Sequence, residues 1–364
     1  MRRFTIERIL TEENAESDAL TQKITQRLPG VKSNRVKPDD LALIGCQDFM
    51  DKKSLRLIHF NGEFLKPCPG TKRYICCGYQ ILNVGVNCPM DCSYCFLQSY
   101  VNQPSLRIFT NIQEQLDIIG EYIDSKPEKI FRIGTGEFTD SLALDYIAGW
   151  SDFLLPFFST RKNAILELKT KTTFISNIIK GDYRDRIVMA WSLNTRKIVE
   201  KEELITANLT SRIFAAKKCQ EAGFLLAFHF DPLIHYDGWD DEYYDVVRLL
   251  EKYINPESII WISMGSFRYM PQLKWDIKSR FPNTNIFNGE FVTGLDGKMR
   301  YFKPIRIEMY SKLSEQLNKW HNDLGIYLCM ESDDVWRQSF GWSPENSENL
   351  SEYLDNRVRK MAKN

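Results

Sequence analysis

The chain has 364 residues, 43% of them hydrophobic, which is enough for one large domain or about two smaller ones with a sizeable core. Its 48 basic and 48 acidic residues cancel, which excludes a uniformly basic nucleic-acid coat protein but leaves local basic patches open. Nine cysteines in a chain this long exclude a small disulfide-dense secreted protein.

Residues 1–75 form a mixed polar stretch, which we interpret as an N-terminal extension with short helical pieces and no clear chemistry. Its start, Met1 to Arg8, lacks the apolar segment of a signal peptide. No apolar run along the chain approaches the ~18 residues that a membrane span needs. We therefore expect a cytoplasmic protein with no membrane partner.

Residues 76–270 show apolar runs that alternate with helical patterns. The predicted strands are 80–87, 129–134, 164–168, 187–192, 224–230 and 258–264, and the predicted helices are 112–123, 142–158, 211–222 and 243–253. Such alternation predicts βαβ units and a parallel sheet. Six strands fit an α/β fold with a partial TIM-like (β/α)6 barrel, in which chemistry lies at the carboxyl ends of the strands. Residues 271–364 are predicted to form a C-terminal α+β segment with a hairpin and helices.

A loop after the first predicted strand carries Cys88, Cys92 and Cys95 at C-x3-C-x2-C spacing, followed by Phe96. Thiolates are the usual ligands of iron–sulfur clusters, and three thiolates on a four-iron cluster leave one iron open to a non-protein ligand. Structural zinc sites usually show two separated ligand pairs, and no second pair is obvious here. A zinc-stabilised nucleic-acid-binding protein without catalysis remains the alternative.

The cysteine spacing and the aromatic residue after it resemble the radical S-adenosylmethionine (SAM) enzymes. This resemblance implies that Cys88, Cys92 and Cys95 hold a [4Fe–4S] cluster and that SAM binds its open iron. It also implies that an electron from a flavodoxin or ferredoxin cleaves SAM to a 5′-deoxyadenosyl radical, which abstracts hydrogen from a substrate carbon.

Polar residues at the predicted strand ends are candidates for binding SAM. Two glycines after the second strand permit close backbone approach, and the carboxylate that follows them can accept hydrogen bonds from an ammonium group. The later strand ends offer a lysine for the methionyl carboxylate and polar side chains for hydrogen bonds. The candidates are Gly134, Gly136, Glu137, Lys171, Ser192, Asn194 and Asp231. A plain turn at residues 134–137 and a solvated Lys171 remain alternatives, as does a metal site at His229, Asp231, His235 and Asp237.

Four segments taken together indicate one family within the radical SAM enzymes. They are residues 88–98, 170–171, 192–194 and 238–239. In order and spacing they resemble the spore photoproduct lyase family, over about residues 79–305. Members of that family open a UV-made thymine dimer in DNA with the SAM-derived radical. The resemblance therefore implies a lyase that acts on DNA or a nucleotide; modification of a small molecule or peptide is the rival activity.

Two positions depart from the family pattern. Glu137 stands where the family has a hydrogen-donating cysteine, and Phe96 replaces the second member of a tyrosine pair whose first member is Tyr94. A carboxylate cannot give a hydrogen atom as a thiol can, and phenylalanine has no O–H. We therefore predict that another thiol acts with Tyr94 in catalysis, with Cys76, Cys77 and Cys329 as candidates. A second metal site at Cys68, Cys76 and Cys77 is an alternative.

An Asp-Gly turn at Asp296-Gly297 predicts a hairpin in the C-terminal segment. Lys298, Arg300 and Lys303 interleave with Tyr301, so we predict that these four residues grip phosphates and stack on bases. The alternative is a solvated edge hairpin whose lysines prevent aggregation.

Overall fold

The computed structural model describes residues 3–38, 51–71, 73–101 and 104–362. Its strands are β1 (Arg8–Glu12), β2 (Lys32–Val36), β3 (Ser54–Ile58), β4 (Leu65–Pro67), β5 (Gln80–Leu82), β6 (Gly85–Val86), β7 (Asp91–Cys92), β8 (Leu106–Phe109), β9 (Phe131–Gly134), β10 (Ala164–Thr170), β11 (Ile187–Ser192), β12 (Glu203–Leu204), β13 (Leu225–Leu233), β14 (Ile259–Ser266), β15 (Arg268–Tyr269), β16 (Phe291–Thr293), β17 (Met299–Tyr301) and β18 (Ile326–Leu328). Its α-helices are α1 (Ala19–Arg27), α2 (Leu97–Tyr100), α3 (Ile112–Asp124), α4 (Asp145–Ala148), α5 (Ser151–Ser159), α6 (Ser176–Lys180), α7 (Arg196–Glu202), α8 (Leu209–Glu221), α9 (Trp239–Tyr253), α10 (Leu273–Arg280), α11 (Lys303–Trp320), α12 (Asp333–Phe340) and α13 (Ser347–Met361).

The main sheet is an open half-barrel with strand order β18-β14-β13-β11-β10-β9-β5-β4. All neighbouring strands are parallel except β4 and β5. The parallel strands follow chain order, so the predicted partial (β/α) barrel is confirmed. The structure adds β18 as a seventh parallel strand beyond the six predicted.

The central strands are near-continuous apolar runs because both of their faces are covered. Every residue of β11 and of β14 is buried, as expected for a parallel sheet between helices.

Within the described ranges, no helix combines the length and the apolar composition of a membrane span.

The predicted helix over residues 142–158 is divided into α4 and α5. Gly149, in the left-handed region with φ of 66°, ends α4. The carboxylate of Asp145 then accepts hydrogen bonds from the backbone N–H of Ser151 at 2.8 Å and from its hydroxyl at 2.7 Å. This turn redirects the chain, so the continuous helix was a wrong prediction.

The N-terminal residues form strands as well as helix. Strands β1, β2 and β3 pair in parallel, and β3 also pairs in parallel with β8, in a sheet of order β2-β1-β3-β8-β6. This sheet therefore joins the N-terminal residues to strands on both sides of the cysteine loop. The domain boundary at residue 75 stays a prediction.

Candidate active site

The cysteine loop lies beyond the carboxyl end of β5 and is anchored at both ends. At its start, Asn87 has φ of 73°; its side chain accepts a hydrogen bond from the N–H of Cys88 at 2.9 Å and donates one to the carbonyl of Pro104 at 2.8 Å. Further along, β7 pairs antiparallel with β12, which places Glu203 opposite Cys92. These contacts fix the loop at the end of the barrel where the sequence predicts chemistry.

The three loop thiols fit an iron–sulfur cluster better than a single metal ion. Cys92 is buried and Cys88 and Cys95 are partly buried, and all three are free. Among the described residues, no three His, Cys, Asp or Glu side chains converge as one metal ion requires. Zinc needs its ligands around one centre, whereas a cluster presents separate irons to separate thiolates. The donor set therefore disfavours the zinc alternative.

Two lysines lie beside these thiols. Burial raises the pKa of Cys88 to about 12, while Lys52 acts in the opposite direction. Burial likewise raises the pKa of Cys92, while the charge of Lys171 lowers it. The ammonium of Lys171 is 5.7 Å from the ring centroid of Tyr94, within the loop. When a metal displaces the thiol protons, these two cations offset the negative charge of the thiolates.

Lys171 is positioned by the buried carboxylate of Asp140, which was not among the residues predicted from the sequence. Asp140 accepts hydrogen bonds from the backbone N–H of Lys171 at 2.8 Å and from the hydroxyl of Thr170 at 2.7 Å. It also accepts from the backbone N–H groups of Leu142 and Ala143. Asp140 therefore ties the segment after β9 to the end of β10.

The two glycines after β9 make room for side chains of the barrel. A Cβ on Gly134 would lie 1.5 Å from the hydroxyl of Tyr79, and a Cβ on Gly136 would lie 3.0 Å from the Cβ of Lys169. Internal packing therefore accounts for both glycines, and their predicted contact with SAM stays a prediction.

Glu137 and Lys169 are both partly buried, and they lie close enough for the charge of Glu137 to affect the pKa of Lys169. Neither side chain has a hydrogen bond or ion pair with any described residue. Burial opposes the charge of Lys169, but Glu137 and then Glu167 outweigh it and raise the pKa of the lysine. The charge of Glu137 also raises the pKa of the Cys95 thiol, so Glu137 lies near the cysteine loop.

The other predicted SAM contacts have intrachain partners. The amide of Asn194 accepts a hydrogen bond from the hydroxyl of Tyr243 at 2.7 Å and donates to the carbonyl of Pro232 at 3.0 Å. The carboxylate of Asp231 pairs with Arg268 at 3.1 Å. Both side chains hold strand ends together, and their roles in binding SAM stay predictions.

A buried network joins the cysteine loop to the end of β11. Tyr94 donates a hydrogen bond to Glu203, which pairs with Arg212, and both charged side chains are at most 1% exposed. Arg212 also donates to the carbonyl of Ser192 at 2.9 Å. Burial opposes the charge of Glu203, but Arg212 and Lys171 outweigh it and lower its pKa. The predicted catalytic Tyr94 is thus bonded to a carboxylate, and its role stays a prediction.

The candidate thiols gather at the carboxyl end of the barrel. Cys329 directly follows β18, and a guanidinium N–H of Arg268 donates to its sulfur at 3.5 Å. Burial raises the pKa of Cys329 well above its usual value, against the effect of Arg268. The charge of Cys77 raises the pKa of Cys68, of Cys76 and of Cys329. The four thiols are therefore neighbours. Burial also raises the pKa of Cys68 and of Cys76, which favours their S–H forms.

Neither alternative metal site is formed. Across the part of the chain that the structure describes, no group of three potential ligands has metal-binding geometry. In the group of His229, Asp231, His235 and Asp237, His229 is hydrogen-bonded to Glu167 at 3.1 Å inside the barrel and Asp231 pairs with Arg268. In the group of Cys68, Cys76 and Cys77, the thiol of Cys76 contacts the carbonyl of Thr71 at 3.8 Å.

The hairpin forms, but two of its four predicted nucleic-acid contacts are buried and therefore wrong. Arg300 is 1% exposed, pairs with Asp296 and lies 4.1 Å from the ring centroid of Tyr74. Tyr301 is fully buried, and its hydroxyl accepts a hydrogen bond from the N–H of His235 at 3.1 Å. These two side chains face the core and cannot stack on a base.

The two lysines of the hairpin region remain accessible. Lys298 is near Asp296 at 3.8 Å, and Lys303, which begins α11 instead of ending the hairpin, pairs with Asp334. Their side chains are 27% and 49% exposed. Contact with nucleic acid therefore stays a prediction for Lys298 and Lys303 alone.

Comparison with known proteins identifies the family. The family model described as "Spore photoproduct lyase" matches residues 76–319. The spore photoproduct lyase of Clostridium acetobutylicum is 23% identical over 260 residues, which cover 71% of this chain and 73% of that protein. That of Geobacillus sp. is 22% identical over 206 residues, and the match covers 56% of this chain and 60% of the relative.

The solved structures agree in fold. A structure of spore photoproduct lyase complexed with dinucleoside spore photoproduct has a TM-score of 0.78 at 17% identity, covering 90% of this chain and all of that one. A mutant with bound AdoMet and dinucleoside spore photoproduct has a TM-score of 0.75 at 18% identity, covering 91% of this chain and all of that one. Because the family model matches about two thirds of the chain, this protein belongs to the spore photoproduct lyase family of radical SAM enzymes, whose cofactors are a [4Fe–4S] cluster and SAM.

Proposed function

We propose that this chain is a radical SAM lyase that acts on a nucleic acid or nucleotide carrying a photoproduct. The observation that carries the proposal is the loop of Cys88, Cys92 and Cys95, anchored at the carboxyl end of a parallel half-barrel with Lys52 and Lys171 beside its thiols. Family membership and relatives whose structures hold a dinucleoside photoproduct support the substrate class. The reducing electron comes from a flavodoxin or ferredoxin in a cytoplasmic setting.

When bound, the [4Fe–4S] cluster and SAM supply radical chemistry that removes a hydrogen atom from an unactivated carbon. The residues of the chain hold and shield that chemistry. Asp140 fixes the backbone of Lys171, which offers its ammonium to the SAM carboxylate. Glu137 offers a carboxylate with no described partner to the SAM ammonium. The network of Tyr94, Glu203 and Arg212 keeps the loop against the end of β11.

The thiol of Cys329 is the best placed of the three candidates to return a hydrogen atom to a substrate radical. It directly follows a barrel strand, contacts Arg268 and stays protonated because it is buried. Only the S–H form has a hydrogen atom to give, so a raised pKa suits this role. Glu137 cannot provide that hydrogen from the position where the family has its cysteine.

The test is hydrogen transfer from a labelled substrate. Anaerobic reduced protein and SAM are incubated with a dinucleoside photoproduct that carries deuterium on the thymine carbons, and with Cys88→Ala as the inactive control. We expect deuterium in the 5′-deoxyadenosine and repaired thymidine in the product. Formation of unlabelled 5′-deoxyadenosine without repair would reject the photoproduct as substrate while leaving the radical chemistry intact.

A second candidate, modification of a small charged molecule or peptide, is favoured by one observation. The side chains of Lys169 and Glu137 make no hydrogen bond or ion pair with a described residue, and such charges suit a substrate with its own ionic groups. DNA binding separates the two candidates. Weakening of low-salt binding in a Lys298→Ala/Lys303→Ala double variant favours nucleic acid, and no binding at low salt favours the small substrate.

A further inference from the structure

Two arginines lie side by side on neighbouring strands of the N-terminal sheet. In the parallel pair β3–β8, Arg56 and Arg107 are register partners. Neighbouring strands are about 4.8 Å apart, and partners in register project from the same face. The residues on either side of them, Leu55, Leu57, Leu106 and Ile108, belong to the main hydrophobic core. The two guanidinium groups therefore project from the face opposite that core.

These guanidinium groups are not fully satisfied. Arg56 is 1% exposed; it donates to Glu12 at 2.7 Å and to the carbonyl of Pro38 at 2.8 Å, but its Nη1 is buried without a partner. The guanidinium of Arg107 has no hydrogen bond or ion pair with any described residue, and its Nε is buried without a partner. Directly before β8, the buried hydroxyl of Ser105 also has no partner. Three polar groups able to donate hydrogen bonds are thus unused in one region.

Among the described residues, the charges of the pair are also poorly balanced. Burial, followed by the charge of Arg56, lowers the pKa of Arg107, while Glu12 acts in the opposite direction. Like charges on neighbouring strands destabilise a sheet, and a buried charge without a partner costs several kcal/mol. An anion between the two groups would remove both penalties at once. Arg107 is only partly buried, so such an anion can reach it from solvent.

We propose that Arg56 and Arg107 form a binding site for a phosphate group on the face of the N-terminal sheet opposite the main core. Guanidinium groups bind phosphate oxygens through paired, charge-assisted hydrogen bonds. Lys32 begins β2 in the same sheet and adds positive charge, whereas its register partner Arg8 is paired with Asp51. The phosphate belongs to a free anion or to a nucleic-acid backbone, and the inference does not depend on the proposed lyase activity.

The test measures phosphate binding by thermal melting and calorimetry, with potassium phosphate against chloride at equal ionic strength. The variants are Arg107→Leu and, as the matched control, Arg35→Leu, an exposed arginine of β2 that is paired with Glu13 and Glu16. We expect phosphate to raise the melting temperature of the wild type and of Arg35→Leu. Arg107→Leu should bind phosphate about tenfold more weakly or not at all, yet melt at a higher temperature than the wild type in low-phosphate buffer.

A second arm compares inorganic phosphate with an eight-residue thymidine oligonucleotide at equal phosphate-group concentration. Tighter binding of the oligonucleotide that is lost in Arg107→Leu identifies a nucleic-acid backbone, and loss for free phosphate alone identifies a small anion. Either result supports the site. Equal phosphate responses in all three proteins, or no response in the wild type, would overturn it. Arg107→Gln replaces the leucine variant if that variant does not fold.

Discussion

Glu167 is the carboxylate at the centre of the half-barrel, and it gives the most quantitative prediction. It accepts hydrogen bonds from Trp261 at 2.7 Å, from His229 at 3.1 Å and from Tyr79 at 3.2 Å. Burial alone would raise its pKa, but the charge and hydrogen bond of His229, with Lys169 and Trp261, lower the pKa from 4.5 to about 2. Glu167 therefore joins four elements of the barrel through one charged group.

The lowering of the Glu167 pKa from 4.5 to about 2 determines how much the charged carboxylate contributes to the free energy of unfolding. At about 1.36 kcal/mol for each factor of ten in proton affinity, the charged carboxylate contributes about 3 kcal/mol at pH 7. Because folding lowers this pKa, the contribution is complete above pH 4.5 and is lost as the pH falls towards 2. At pH 3.5 it should be about 2 kcal/mol.

The perturbation is Glu167→Gln, which keeps the shape of the side chain and removes its charge. Urea denaturation should show a variant less stable than the wild type by about 3 kcal/mol at pH 7 and by about 2 kcal/mol at pH 3.5. Glu315→Gln, an exposed glutamate paired with Lys319, is the control and should change little at either pH. A Glu167→Gln deficit below about 1 kcal/mol, or one that grows on acidification, would refute the reasoning.

Three further predictions follow from buried contacts of the site. Arg212→Met leaves Glu203 buried without its cation, so urea denaturation should show a loss of about 3–5 kcal/mol; a loss within about 0.5 kcal/mol would contradict the network. Arg300→Met should lower the melting temperature without weakening low-salt DNA binding, and the reverse pattern would restore Arg300 as a nucleic-acid contact. Cys329→Ser, compared with the buried Cys219→Ser in α8, should remove deuterium that the product takes from D2O; unchanged labelling would exclude Cys329 as the donor.

The barrel strands could be predicted because local sequence determines them. The strand predicted at residues 187–192 is β11 to the residue, since a run buried on both faces is apolar throughout. The cysteine loop could be predicted from its spacing alone. The seventh strand, β18, has only three residues, too short for a pattern. In the N-terminal sheet, β2 is exposed at four of its five residues, so backbone pairing forms it and apolar alternation does not reveal it.

The contacts that the sequence could not provide are those between distant residues. Arg300 and Tyr301 alternate in a hairpin, but alternation does not say which face meets the rest of the protein. The hairpin packs Arg300 on Tyr74, more than 200 positions earlier, and this contact makes the arginine structural. In the same way, the sequence does not distinguish Glu203 and Arg212 from surface charges, and only the fold places them behind Tyr94.

The most direct test of the account is the iron and sulfide content of anaerobically purified protein, together with its cleavage of SAM. The wild type and Cys219→Ala should be brown, hold about four irons per chain and form 5′-deoxyadenosine when reduced. Cys92→Ala should lose the colour and the cleavage together. A colourless, iron-free wild type, or a Cys92→Ala variant that still cleaves SAM, would contradict the assignment of the three thiols to a cluster.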